Sequence, residues 1–499
     1  MQHASSPSTL FGLPSWAEAE LNIKEKETVM YSALGKIRHV HLIGIGGAGM
    51  SAIAEVLLNQ GFIVTGSDLV ESEVTRRLRH CGATIFIGHD RDNISGADVI
   101  VHSSAVKPEM NEEVQEAFAR QIPVIKRDEM LGELMRRKAG ICIAGTHGKT
   151  TTTTMVGTML KECHEDPTVI IGGISDYFNG SAVVGNGNYM VIEADEYDRT
   201  FLKLTPTIGV ITTLEAEHLD IYKDLDDLKQ AFVQFANTVP FYGAVICCID
   251  EPAIAAILPC LNRRVITYGL TPEAELQAKE VVFHGKTAHF TVTHLGKPLG
   301  KLELKAPGLH NVKNALATVA VGLELGLEFD SICRALASFQ AVRRRFHVKY
   351  SDGEPNGLMV IDDYAHHPTE VRATLEAARL GWPKHHLIAV FQPHLFSRTQ
   401  TFADEFGKAL ALADEIIVTD VYASREKAED FIGVSGDLVV RAVQKAGGKA
   451  SYIEQKSDII QQLLNRASAG QMIITMGAGD ITKIAGELVE KFNGASKSQ

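Results

Sequence analysis

The stretch that decides the fold is Ile141-Cys142-Ile143-Ala144-Gly145-Thr146-His147-Gly148-Lys149-Thr150-Thr151-Thr152-Thr153-Thr154. Its first four residues are small or apolar and rich in β-formers, the composition of a buried strand. The chain then breaks at Gly145, turns through Gly148 and presents one lysine followed by a run of threonines. A glycine turn between a strand and a helix lets backbone N–H groups curl around an anion. Lys149 can reach terminal phosphates, and the Thr150 or Thr151 hydroxyl can ligate a magnesium ion carried by them. This is a P-loop in the short form G-x-x-G-K-[ST]. Ile143 stands where the longer form has its first glycine. A threonine-capped helix after a buried strand is the plainer reading of the same residues.

At 499 residues the chain exceeds what one hydrophobic core accommodates, so two to four domains are expected. The formal net charge of −12 argues against nucleic acid or an anionic membrane as the main partner. No apolar run approaches the roughly 18 residues that a membrane span requires. The polar segment from Met1 to about Gly35 lacks an apolar signal core and reads as a flexible extension over 1–36. Seven cysteines are scattered without a C-x-x-C pair, which fits reduced thiols in a cytoplasmic protein. Cys142, in the strand before the P-loop, reads as core packing.

Upstream, a short strand His39-Val40-His41-Leu42-Ile43 runs into Gly44-Ile45-Gly46-Gly47-Ala48-Gly49 and a helical stretch closed by Gly61. The glycines fit G-x-G-x-x-G. Asp68 follows the next strand, at the distance where an acid meets a ribose hydroxyl. This first unit has half the length of a full dinucleotide fold, so a mononucleotide suits it better than NAD. A third strand, Val99-Ile100-Val101, ends in His102-Ser103-Ser104. The helix Asp128 to Lys138 leads out of the unit.

Downstream of the P-loop, Asn186-Gly187 between two apolar runs predicts a hairpin. Two strands end in acids, Glu193-Ala194-Asp195-Glu196 and Leu214-Glu215-Ala216-Glu217-His218. Ligands of open α/β sheets sit at the carboxyl ends of strands, so Glu193 and His218 could face bound phosphates and hold magnesium. A solvated strand end and a histidine cap are the alternative. In Pro307-Gly308-Leu309-His310-Asn311-Val312-Lys313-Asn314, the two asparagines share a helix face. They suit an adenine edge, or Asn311 caps the helix. Arg343-Arg344-Arg345 is a candidate clamp for phosphate or carboxylate, or else a solvated turn. A third unit alternates strands with helices, as a parallel α/β domain does.

Five motifs in this order identify a resemblance to the Mur ligases: Gly44 to Met50, Gly145 to Thr151, Glu193 to Glu196, Pro307 to Asn311, and Asp363-Tyr364-Ala365-His366-His367-Pro368-Thr369-Glu370. The resemblance runs from about His39 to about Lys491. It implies an α/β protein with a Rossmann-like N-terminal domain (37–136), a central P-loop ATPase-type domain (137–342) and a Rossmann-like C-terminal domain (343–495). The implied activity is ATP-dependent joining of L-alanine to the lactyl carboxylate of UDP-N-acetylmuramate through an acyl phosphate, in peptidoglycan synthesis. The implied partners are these small molecules, ATP and magnesium, acting on a monomer or weak homodimer.

By position, the resemblance places Gly44, Gly46, Gly47, Ala48, Gly49, Asp68 and Ser103 at the UDP substrate. It places Gly145, Thr146, His147, Gly148, Lys149, Thr150, Thr151, His310, Asn311, Asn314, Arg345 and Asp363 at ATP. It gives Thr150, Glu193 and His218 to metal, and Tyr364, His366 and Arg398 to the amino acid. Lys149, Glu193, His218 and Arg345 become the catalytic set. Hinges are expected near residues 136 and 342. Departures from the family pattern are Thr213 for Asn, Glu217 for Asp, Leu395 for Arg, and Ala341 and Arg343 at two hinge glycines. Lys229 is the nearest candidate for the lysine that several relatives carbamylate. The competing readings are a recycling ligase that adds a tripeptide to the same sugar, a folylpolyglutamate synthase, a nicotinamide-dependent oxidoreductase and a non-catalytic nucleotide-binding regulator.

Overall fold

A computed structural model describes residues 34–103, 105–178, 180–217, 221–353 and 356–496. The extension expected over 1–36 falls almost wholly outside them, and so does His218. Three sheets follow one another along the chain.

The first sheet contains β1 (His39–Ile43), β2 (Ile63–Asp68), β3 (Thr84–Ile87), β4 (Val99–His102) and β5 (Val124–Lys126). All pairs are parallel, in the order β3-β2-β1-β4-β5. Strands buried on both faces by crossover helices read as continuous apolar runs, as Val40 to Ile43 does. The chain reverses strand order beside β1, so the carboxyl ends of β1, β2 and β4 meet around Gly44, Asp68 and Ser103.

The central sheet contains β6 (Ala139–Ala144), β7 (Thr168–Ser175), β8 (Gly180–Val183), β9 (Tyr189–Ala194), β10 (Ile208–Ile211), β11 (Ala244–Cys248), β12 (Val265–Gly269), β13 (Leu276–His284), β14 (Thr287–His294) and β15 (Lys297–Leu304). The order is β15-β14-β13-β12-β11-β10-β6-β9-β7-β8. β6, which feeds the P-loop, lies between β9 and β10, whose ends carry the two acid clusters. Register fixes the outcome: Ile143 pairs with Glu193, and Ala144 with both Ala194 and Ile211.

The hairpin expected at Asn186-Gly187 does not form. β8 pairs antiparallel with β7, while β9 pairs parallel with β6 and β7. The Asn186-Gly187 segment is instead tied to the loop after the P-loop helix. Asn186 N–H donates to the Asp166 carboxylate at 2.8 Å, and Gly187 N–H to Asp166 O at 2.8 Å. Gly187 is needed because a Cβ there would lie 1.8 Å from Glu165 O. Local turn chemistry was outweighed by a long-range close approach.

The third sheet contains β16 (His347–Ser351), β17 (Met359–Asp363), β18 (His386–Phe391), β19 (Glu415–Val418), β20 (Ala450–Tyr452) and β21 (Gln471–Met476). Only β16 is antiparallel. Its two faces carry separate apolar clusters, one around Ile361, Phe391 and Phe406, the other around Ile388, Ile473 and Leu488. The first two units, by contrast, share one continuous core. The helix Ala48–Asn59 of the first packs on β7 and β8 of the second. The hinge expected near residue 136 therefore meets an apolar junction. The linker near residue 342 is bridged to β7 through Ser175 and Val342.

Candidate active site

The P-loop is shaped by two strained glycines and clasped by the end of β10. Gly145 has φ 137°, and Gly148 has φ 82° and caps the helix Lys149–Glu162. A Cβ at Gly145 would sit 2.1 Å from Thr212 Oγ1, so only glycine lets β10 approach. Thr213 Oγ1 accepts from His147 N–H at 2.7 Å, and Thr212 Oγ1 donates to His147 O at 2.5 Å. Thr213, a departure from the family pattern, thus braces the loop.

Lys149 is not free in this arrangement. Its ammonium donates to both Glu196 oxygens at 2.7 and 2.9 Å and to Gly145 O at 2.6 Å. Burial opposes its charge, but Glu196, Asp195 and Glu217 outweigh that and raise its pKa. Glu196 is fully buried, and burial pushes its carboxyl up to about 7 against the pull of Lys149. Beside it, Glu193 accepts from Gly172 N–H at 2.6 Å and from Thr150 Oγ1 at 3.2 Å. Burial raises the Glu193 carboxyl too.

The C-terminal domain meets this site through the end of β17 and the helix Pro368–Gly381. Glu370, in that helix's first turn, is the hub. It accepts from the His366 and His367 N–H groups at 3.0 and 3.3 Å, and lies 3.5 Å from His147 Nδ1 and 3.4 Å from Arg345 Nη1. Burial opposes its ionisation, yet His366 and His147 hold it well below the usual carboxylate range. His147 answers in kind. Against burial, Glu370, Glu217 and Glu215 raise it to about 9. Two further contacts cross from this domain to the central one. Thr369 Oγ1 donates to Glu215 at 2.6 Å, and Arg398 Nη2 pairs with Glu217 at 3.0 Å.

A cavity of about 490 Å³ opens along this junction. Nine of the twelve residues expected at ATP line it, from three parts of the chain: His147, Gly148, Thr150 and Thr151; His310, Asn311 and Asn314; and Arg345 with Asp363, whereas Gly145, Thr146 and Lys149 lie outside its lining. Asn311 is not the helix cap, because Gly308 occupies that position and Asn311 Nδ2 donates to Pro307 O at 2.7 Å. Asn314 Nδ2 donates to Asn311 Oδ1 at 3.2 Å. Burial, with Lys313 and Arg345 nearby, lowers His310 to about 4, so its imidazole is neutral. Asp363 accepts from Phe346 and Ala365 N–H at 2.7 and 2.8 Å, and burial pushes its carboxyl up to about 6.

The three arginines do not act as one clamp. Arg343 pairs with Asp176 at 2.7 Å, Arg344 turns to Asp362 and Gly477 O, and Arg345 alone lines the cavity. Tyr364 lies under Arg344 and Arg345, with its ring 5.1 Å from that of His366. Lys229 pairs with Asp226 on its own helix, Leu225–Thr238. Sequence reasoning gave no role to Glu196, Glu215, His367 or Glu370. The first-turn position of Glu370 after Pro368 signals a helix start, but nothing local signals its partners in another domain.

The residues expected at the UDP substrate gather elsewhere, at the end of the first sheet. Gly44 has φ 78°, and a Cβ there would lie 2.9 Å from Ser103 Oγ. The Gly46 N–H donates to Asp68 Oδ2 at 2.8 Å. Asp68 thus spans the glycine turn through Oδ2. Gly49 abuts the Arg127 guanidinium.

A glycine loop in one domain and a P-loop at the junction of two others define a class. Three family models match in succession: the Mur ligase family catalytic domain over residues 39–139, the Mur ligase middle domain over 143–322, and the Mur ligase glutamate ligase domain over 344–479. The chain belongs to the Mur ligase family. Within it, the chain is 56% identical to UDP-N-acetylmuramate–L-alanine ligase of Chlorobium phaeobacteroides over 92% of this chain and 98% of that protein. It is 55% identical to the protein of the same name from Chlorobaculum tepidum, over 91% and 95%. Among solved structures, the UDP-N-acetylmuramate–alanine ligase of Thermotoga maritima superposes with a TM-score of 0.77 at 31% identity, covering 92% of this chain and 99% of that one. A murein peptide ligase from Psychrobacter arcticus gives 0.65 at 25%, over 91% and 98%.

Proposed function

We propose that this protein joins L-alanine to the lactyl carboxylate of UDP-N-acetylmuramate in peptidoglycan synthesis, with cleavage of ATP to ADP and phosphate. Likeness of 54–56% to ligases of that name, over more than nine-tenths of the chain, supports the reading. The observation that carries it in the structure is the cavity where P-loop, His310–Asn314 helix start and Arg345 converge. A tripeptide-adding ligase is the nearest alternative, and the murein peptide ligase neighbour is less similar. Among the described residues no helix is long and apolar enough to cross a membrane, in keeping with work in the cytoplasm. A monomer or weak homodimer remains our reading of the assembly.

The chemistry follows from what a carboxylate requires. It does not react with an amine until one oxygen becomes a leaving group. In our reading the lactyl carboxylate attacks the γ-phosphorus of ATP, ADP departs, and the acyl phosphate is attacked by the amine of L-alanine. Collapse then expels phosphate and leaves the amide. Lys149 leaves Glu196 for the β- and γ-phosphates, and Arg345 adds a second positive charge from the domain junction. The P-loop N–H groups orient the phosphates, and neutral His310 with Asn311 and Asn314 receives the base. In our reading Tyr364, His366 and Arg398 receive the amino acid, with Arg398 exchanging Glu217 for the incoming carboxylate.

The residues present suit magnesium. Thr150 and Glu193 offer two oxygens 3.2 Å apart, the hard donors magnesium prefers, on a half-buried carboxylate. Thr150, Glu193 and His218 would hold it. When bound, it would neutralise charge on the transferring phosphoryl group.

The test is phosphate release measured with all substrates, then with each omitted. Release that needs both UDP-N-acetylmuramate and L-alanine is expected. Turnover with tripeptide but not L-alanine would move the protein to the recycling class.

A further inference from the structure

The proposed reaction leaves one buried group without work. His367 is only 4% exposed, and neither of its ring nitrogens has a hydrogen-bond partner. Its ring lies 4.9 Å from that of His147 and is walled by Phe402 at 5.1 Å. His147 Nε2 is likewise buried and without a hydrogen bond, 3.7 Å from Glu215 Oε1. One donor atom from each of His147, Glu215 and His367 lies within 4.8 Å of the others. Unmet buried nitrogens of this kind are costly unless something is there to take their lone pairs.

The surroundings are those of a metal site. A metal-binding histidine usually donates its other ring N–H to a carboxylate, which sets its tautomer and aim. His147 has this arrangement, since its Nδ1 faces Glu370 at 3.5 Å and leaves Nε2 toward Glu215. Glu215 is oriented too, because Thr369 Oγ1 occupies its other oxygen at 2.6 Å. Two imidazoles and one carboxylate suit zinc-type ions, whereas magnesium favours oxygen. Donors on a tetrahedral zinc ion stand roughly 3.4 Å apart, so the three groups need only small side-chain rotations to close on one.

We propose that His147, Glu215 and His367 form a second cation site, separate from Thr150 and Glu193, which takes a divalent transition ion of the zinc class and pins the C-terminal domain to the central one. His147 and Glu215 belong to the P-loop and the end of β10, and His367 to the C-terminal domain. The ion displaces the proton from His147 Nε2 to solvent, and a water or substrate oxygen completes its shell. Because the ion joins two domains that the reaction must separate to exchange ligands, occupancy by zinc holds the cleft shut. Zinc is therefore inhibitory while magnesium is required.

The experiment uses the full-length protein with millimolar magnesium present and Co²⁺ as the probe. One equivalent of Co²⁺ should give an intense visible absorption band of a four- or five-coordinate ion, and Zn²⁺ should abolish it. Zn²⁺ should also raise the melting temperature. His367→Asn should weaken Co²⁺ binding at least 30-fold, and His218→Asn should leave the band intact. If His367→Asn fails to fold, judged by its metal-free melting curve, Glu215→Gln tests the same site from the other domain. A wild type without the band overturns the proposal. So does a band retained in His367→Asn or Glu215→Gln, or one lost in His218→Asn. None of these readings depends on turnover, so failure of the site and failure of the ligase reading are separable.

Discussion

The protein carries two glycine loops of nearly the same local design, and they differ in what surrounds them. Gly44–Gly49 and Gly145–Gly148 each follow a buried parallel strand and open a helix. The first is served from within its own domain: Asp68 from β2 takes the Gly46 N–H, Ser103 after β4 presses on Gly44, and Arg127 abuts Gly49. The second is enclosed by a different domain, through Glu370, Arg345 and Thr369. The lesson is one of chemistry. A loop inside one domain can bind and hold. A loop at a junction can gather charges that would repel or desolvate within one domain, and can release them when the domains part.

The contrast breaks first at Lys149. Lys149→Ala should lower phosphate release by at least about 10³-fold, as loss of the main phosphate cation would. Binding of UDP-N-acetylmuramate, measured by calorimetry, should persist, because the two loops are independent. A variant that lost both would mean that they form one site.

Glu193→Gln comes next. It should raise the magnesium concentration needed for half-maximal rate about 10- to 100-fold, the range seen when a carboxylate around a metal is neutralised. An unchanged requirement would place the metal elsewhere.

Gly46→Ala tests the first loop. Its Cβ would fall 2.8 Å from Asp68 Oδ2 and 3.1 Å from Thr75 Cγ2, so the Asp68 clasp must shift. The KM for the UDP-sugar should rise about 10-fold while that for ATP stays within twofold. Gly66→Ala is the structural counterpart, since its Cβ would meet Ile45 Cδ1 and Leu42 O at 2.6 Å. It should cost about 1–3 kcal/mol of stability by overpacking, read from denaturant unfolding.

The smallest effect concerns the junction's pH response. His147 titrates near pH 9 in the folded protein against an ordinary 6.5, so folding favours its protonated form. That stabilisation is complete below about pH 6.5 and is lost as pH rises through 9. The melting temperature should fall by a few degrees across this window. Glu370→Gln removes a carboxylate that raises His147, so the same fall should be shallower in that variant.

Much of the fold was legible because the relevant signals are short-range. His39–Ile43, with the glycines after it, was readable as strand and turn, and so was Ile141–Thr154. The hairpin at Asn186-Gly187 failed because its signal is local, while the fate of that loop was set by Asp166 and Lys138. The Lys138 ammonium donates to Gly185 O at 2.6 Å and Gly187 O at 2.9 Å. The arginine run misled for a similar reason. Three adjacent side chains leave the backbone in different directions, and φ of 61° at Arg344 and 45° at Phe346 re-aims them toward Asp176, Asp362 and Glu370.

By itself the sequence determined which strands end in glycine turns, which residues could cradle phosphate, and the order of three α/β units. These follow from hydrophobic periodicity, backbone preferences of glycine and reach of a lysine, all properties of neighbours in the chain. Only the tertiary structure decided that Lys149 rests on buried Glu196, that Glu370 ties His147 to Arg345, and that His367 faces His147 and Glu215. Those pairings join residues up to about 220 positions apart, and the energies that select them, desolvation against Coulomb attraction, exist only once the domains have closed around the groups.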